Sequence, residues 1–208
     1  GDFVHATDPT VHPDSVISIF SNAYTNVQVD YYNGNWEPYQ TTLSADFTID
    51  EDDILNYTNF NFVGIQFTAP TINASEMTHL HLDVFNPNEV DPADKLEIKV
   101  VDLGPDGSFD DPNPSVSYII EGSEMVSQSW ISVDIDLAAL GSKTNLAQIV
   151  FDNLASPLSN FYVDNIYLYN DGGETGGNEP VEVAPTPPAR DAADVISVYG
   201  DAYTNLEG

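Results

Sequence analysis

The chain has 208 residues, a hydrophobic fraction of 41%, and 11 Tyr, 10 Phe and 2 Trp. That is enough to build one substantial core, and it excludes a globally disordered polymer. Four Lys and Arg stand against 34 Asp and Glu, a formal net charge of −30. Such a surface repels phosphate backbones and anionic headgroups, so nucleic acid and anionic membrane surfaces are poor partners, and strongly anionic glycans are disfavoured for the same reason.

The sequence has no cysteine, which removes disulfides, thiolate catalysis and thiolate metal sites. No apolar run approaches the roughly 18–20 residues of a membrane span, and the N-terminus lacks a basic-then-apolar signal pattern.

In chain order, residues 1–13 read as a polar leader or linker. Period-two alternation then predicts strands over 16–24, 27–32, 44–49, 60–67, 79–85, 95–101, 116–121, 130–136, 146–151 and 161–169. Asn-Gly, Asp-Gly, Asn-Pro and Asp-Pro pairs punctuate them. The one helical stretch is 136–140, ending at Gly141. Many short strands within 14–170 indicate an all-β antiparallel β-sandwich, a jelly roll.

Residues 171–193 are a Gly/Pro-rich linker. Beyond it the segment 195–206 repeats 16–27 without a gap, identical at seven of twelve positions. A period of 179 residues suits tandem copies of a whole domain rather than a solenoid. Residues 194–208 are therefore expected to be the first strand of a second, truncated copy.

Several patterns carry chemistry. In 161–169 the acid Asp164 sits mid-strand among apolar residues. A buried carboxylate needs a cation or several donors, and Lys and Arg are scarce. A calcium ion is one reading, since calcium takes six to eight oxygens from Asp, Asn and carbonyls. Asn22 is a candidate co-ligand because its repeat equivalent is Asp201, and Thr25 and Asn26 lie close by. The other reading is an Asp capped by backbone amides.

The loop 102–111 has four Asp with Gly and Ser but lacks EF-hand spacing. It is either a solvated hairpin or a binding rim that projects Phe109. The run 31–40 holds Tyr31, Tyr32, Trp36 and Tyr39 between Asn, Gly and Pro. Exposed rings beside amides and carboxylates suit a neutral sugar: the ring packs on its C–H face while polar groups meet its hydroxyls. The alternative is a loop plugged by Trp36.

Alternation in 79–85 puts His79, His81, Asp83 and Phe85 on one face. Residues two apart on a strand are about 6.5–7 Å apart, so a metal there would need ligands from neighbouring strands. A polar sheet face supplying hydroxyl partners is the simpler reading.

Taken together, the runs 16–27, Asn35-Trp36, 80–85, 101–107 and 162–167 resemble β-jelly-roll carbohydrate-binding modules of bacterial laminarinase-type glycoside hydrolases and surface glycan-binding proteins. The resemblance spans 14–170 and implies a secreted or cell-surface, non-catalytic module, often in tandem and tethered to further modules or an enzyme. It also implies a structural calcium near the first and last strands. This chain departs from relatives at Glu37-Pro38, where Gly-Gln is usual, and at Phe85, where Trp is usual.

The expected ligand is a neutral polysaccharide, a laminarin-type β-glucan, on Trp36, Tyr39, Tyr32 and Phe109, with His81 and Asp83 as hydroxyl partners. The alternatives are a calcium-stiffened adhesion or spacer domain and a glycoside hydrolase. No sequence signature picks out the carboxylate pair, about 5–5.5 Å apart, that retaining hydrolysis needs.

Overall fold

A computed structural model describes residues 3–34, 36–109 and 112–171. The linker beyond 171 and the repeat at 194–208 lie outside the described residues.

The described chain forms ten strands: β1 (Val16–Phe20), β2 (Leu43–Ile49), β3 (Asp52–Thr58), β4 (Phe62–Gln66), β5 (His79–Phe85), β6 (Lys95–Asp102), β7 (Ser115–Glu121), β8 (Trp130–Asp136), β9 (Leu146–Asp152) and β10 (Asn160–Tyr169). One sheet has the order β2-β3-β10-β5-β8, with β1 also on β10; the other is β4-β9-β6-β7. All ladder pairs are antiparallel. The fold is an antiparallel β-sandwich.

The alternation read from the sequence sorts side chains between core and surface. Leu80, Leu82 and Val84 of β5 face Ile98, Val100, Ile149 and Phe151 of the other sheet in one buried cluster. Residues 136–140 contribute only a 3₁₀ turn, Ala138–Leu140, closed by Gly141 at φ 72°. Asp136 caps it by accepting from the Ala138 amide at 2.7 Å.

Three local expectations change. First, the strand predicted over 16–24 stops at Phe20. Asn26 Oδ1 accepts from Ser18 Oγ at 2.6 Å and from the Ser21 amide at 3.0 Å. These side-chain bonds give the backbone an alternative to the ladder. Second, 27–32 is no regular strand. It follows the edge of β4 irregularly through Asp30 N to Gln66 O and Gln66 N to Tyr31 O.

Third, β3 is absent from the strands that alternation predicts. The β2–β3 hairpin pairs Ile49 with Asp52 across Asp50 and Glu51, which adopt φ 51° and 72°. That is a two-residue turn with both central residues left-handed, a geometry normally signalled by Asn-Gly or Asp-Gly.

The last strand departs from strict alternation as well. Its pairing with β5 slips between Asp164 and Tyr167, with Asn165 at φ 50°. This bulge changes the phase, so Ile166 and Leu168 turn into the core while Tyr167 and Tyr169 face outward opposite His81 and His79. On its other edge β10 changes partner at the same place, from β3 (through Val163) to β1 (from Ile166).

Residues 3–12 pack on the outer face of the six-stranded sheet rather than trailing from it. Ala6 is buried, Asn165 Nδ2 donates to Thr7 O at 3.2 Å, and Tyr24 Oη donates to Val11 O at 2.7 Å.

Candidate functional site

The outer face of β4-β9-β6-β7 is built by register. Phe62, Asp152, Glu97 and Ile119 form one cross-strand row; Gly64, Val150, Lys99 and Ser117 form the next; Gln66, Gln148, Val101 and Ser115 form the third. Their neighbours Val63, Ile65, Ile98, Ile149 and Phe151 are buried beneath. Glu97 and Asp152, directly opposite each other, offer acceptors, and Lys99 and the Gln66–Gln148 amide pair (2.9 Å) offer donors.

Trp36 lies on this face. A Cβ on Gly64 would collide with its benzo ring, so the ring seats where Gly64 has no side chain. It also stacks on Phe62, with centroids 5.8 Å apart and planes 25° apart. Tyr31 holds it from the side: burial and nearby Asp30 raise the Tyr31 hydroxyl's pKa, and a hydrogen bond to Trp36 partly offsets this. Gly34, where a Cβ would meet the Tyr31 ring at 2.5 Å, lets the loop backbone pass close to that ring. Trp36 remains partly exposed, on the same face as the polar residues Asp152, Glu97 and Lys99. This is an aromatic platform of the kind a sugar ring requires.

The other expected platform residues separate. Tyr39 is 76% exposed, on the turn after Trp36, and Phe109 is 57% exposed on the β6–β7 loop. Tyr32 turns inward: its hydroxyl donates to Ile19 O at 2.8 Å and its ring meets Phe20 edge-on. It therefore supports the loop carrying Trp36 rather than offering a surface.

His81 and Asp83 lie on the outer face of the other sheet, away from Trp36, in a closed network. His81 Nδ1 is 2.9 Å from Asp134 Oδ1, and His81 Nε2 is 3.5 Å from Asp83 Oδ1. Asp83 also accepts from Ser132 Oγ at 2.6 Å and Asn165 Nδ2 at 2.9 Å. Burial alone would lower the pKa of His81, but its bonds to Asp83 and Asp134 outweigh this and raise it. Burial pushes Asp83 up, and its bonds from His81, Ser132 and Asn165 bring it below its usual value.

Asp164 is fully buried at the bulge beside this network. Its Oδ1 accepts from the Asn165 amide at 2.6 Å, while Oδ2 has no hydrogen-bond partner. Burial, with Asp52 and Asp83 nearby, pushes its pKa up to about 7, against the relief of amide bonds from Asn165 and Ala6. Asp52 Oδ1 is likewise buried without a partner.

Ligand atoms of His5, Asp8 and Asp52 lie within 4.8 Å of one another. They line a depression of about 220 Å³ together with Asn22, Asp50 and Glu51. Orphaned carboxylate oxygens in a chain this poor in cations fit a hard divalent ion.

The co-ligands expected with Asp164 are placed differently. Asn22 borders the depression, but its amide is engaged, donating to Glu51 O at 3.1 Å and accepting from Asp53 N at 3.2 Å. Asn26 is committed to β1, and Thr25 is exposed. The expected ligand set does not include Asp52, Asp8 or His5, which the fold brings together. The acid run 50–53 is a legible signal, but it lies in a hairpin that alternation does not predict, and the leader reads only as a linker.

No family model and no curated protein matches the chain. Among solved structures, it is similar to a family 30 carbohydrate-binding module of a cellulosomal cellulase from Clostridium thermocellum: 14% identity, 76% of this chain and 99% of that chain covered, TM-score 0.54. A further family 30 carbohydrate-binding module structure matches at 12% identity, covering 86% and 94% of the two chains, with TM-score 0.54.

The antiparallel β-sandwich is thus a fold that this chain shares with those two modules. At these identities the similarity carries the architecture, and the jelly roll expected from strand spacing is the fold observed.

Proposed function

We propose that this chain is a non-catalytic polysaccharide-binding module. It takes a neutral glucan chain, laminarin-type β-glucan first among the candidates, along the outer face of β4-β9-β6-β7. The observation that carries this reading is Trp36 seated on Gly64: a glycine in the middle of the edge strand β4 makes room for an indole laid over the strand. Phe62 extends the platform, while Glu97, Asp152, Lys99, Gln66 and Gln148 supply the hydroxyl partners a neutral sugar needs. Tyr39 and Phe109 are exposed rings at two loops and serve as outlying contacts.

In this reading a calcium ion belongs beside Asp164 and Asp52, whose Oδ2 and Oδ1 lack donors, with Asp8 as a further ligand. When bound, it would offset the burial that raises the pKa values of Asp164 and Asp52. Its role is structural, fixing the leader to β3 and β10 at the point where β10 changes partner. An extracellular or cell-surface setting, with the module tethered to others, accords with the acidic surface and the repeat.

A second reading, a calcium-stiffened adhesion or spacer domain, is favoured by the same acid cluster. It predicts calcium-dependent stability without sugar affinity. A screen of laminarin, xylan and mannan with and without chelator separates the two. Hydrolysis of glucan by the purified chain would overturn the non-catalytic reading.

A further inference from the structure

The opposite sheet carries an aromatic cluster of its own. Phe3 of the leader packs with ring centroids 4.6 Å from Phe85, 4.9 Å from Tyr162 and 6.1 Å from Trp130. Trp130 Nε1 donates to Val4 O at 2.8 Å, which fixes both the indole and the leader. Between the leader and the ends of β5 and β8 opens a cavity of about 530 Å³, within the range of roughly 300–1,000 Å³ typical of small-ligand sites.

Two observations define what it would hold. Among the described residues none that lines it is charged, although the chain carries −30; such a lining suits an uncharged ligand. Gln128, Ser129 and Tyr162 border it, and their side-chain polar groups have no intramolecular hydrogen-bond partner among the described residues. Aromatic walls joined to unengaged hydroxyl and amide groups are the complement of a pyranose ring, with its C–H faces and equatorial hydroxyls.

We propose that this cavity is a second polysaccharide-binding site for a neutral hexose unit, built jointly by the leader and β5, β8 and β10. Because it lies on the other sheet from Trp36, one module would hold two glycan chains. The inference shares with the proposed function only its ligand class.

The chain's two tryptophans stand one at each site, so single-tryptophan variants report each separately. In Trp36→Phe, titration of the full chain with laminarin, xylan and mannan should shift Trp130 emission to the blue. Acrylamide quenching should also fall by about twofold at saturation with one of them. Gln128→Asn in that background shortens the amide on an exposed loop and keeps a residue that tolerates the φ of 54° there; it should raise half-saturation several-fold.

In Trp130→Phe the same titrations read the Trp36 face. A silent Trp130 with a responsive Trp36 overturns this inference and leaves the proposed function standing. A responsive Trp130 with a silent Trp36 does the reverse. Silence at both sites across the panel overturns both. Half-saturation left unchanged by Gln128→Asn overturns the polar half of the site, in which that amide meets the sugar hydroxyls.

Discussion

Asp164 Oδ2 and Asp52 Oδ1 are buried carboxylate oxygens that no donor meets, and leaving such groups unpaired costs about 1–3 kcal/mol or more each. The fold tolerates this only where a proton or a cation arrives. Calcium binding should therefore stabilise the chain by about 2.7 kcal/mol at a hundredfold excess over Kd, read as a rise in thermal midpoint that EDTA reverses. Asp164→Asn should abolish that response while leaving the chain folded; an unchanged calcium shift would place the ion elsewhere. Asp164 itself is visible in the sequence as an acid amid apolar residues, whereas the His5, Asp8 and Asp52 cluster is not, because it is assembled from a leader and a hairpin far apart in the chain.

At the scale of the strand, two arrangements make sharp predictions. Gly64→Ala drives a methyl into Trp36; displacing the indole should cost about 1–3 kcal/mol of stability and reduce glucan affinity, with the fold retained by circular dichroism. Affinity equal to the parent's would show that the indole is not seated for ligand.

The His81–Asp83–Asp134 network links β5 to β8 and gives a pH signature. His81 is raised above its usual 6.5, so its contribution is complete below that value and is lost as pH rises through its folded pKa. Asp83 is lowered below 3.8, so its contribution holds above that value and is lost as pH falls through its own folded pKa. His81→Gln should thus destabilise most near about pH 5, by about 1–3 kcal/mol, with the difference shrinking above neutrality. Urea unfolding of both proteins across pH measures this, and a deficit that grows with pH contradicts it.

Strands such as β5 and β8 are legible because their alternation is uninterrupted. By contrast, β3 and the phase of β10 are not, because an Asp-Glu turn and a single left-handed Asn leave no punctuator in the sequence.

For the whole molecule, the sandwich follows from alternation and turn spacing, and the placement of Trp36 on a sheet face follows from tertiary contacts that composition does not encode. Sequence reasoning groups Trp36 with His81 and Asp83, but register puts them on opposite outer faces. The charge of −30 acts at this scale too. Binding of a neutral glucan should be nearly independent of ionic strength, whereas sulfated glycans should not bind at low salt, where repulsion extends over a Debye length of about 10 Å or more.

The direct test of glucan binding at the Trp36 face is affinity electrophoresis of the full chain through gels containing laminarin, run beside Trp36→Ala. The account predicts clear retardation of the parent and at least about tenfold weaker retention of the variant, a loss of about 1.4 kcal/mol. A parent that migrates unretarded, or a variant retarded as strongly as the parent, contradicts it.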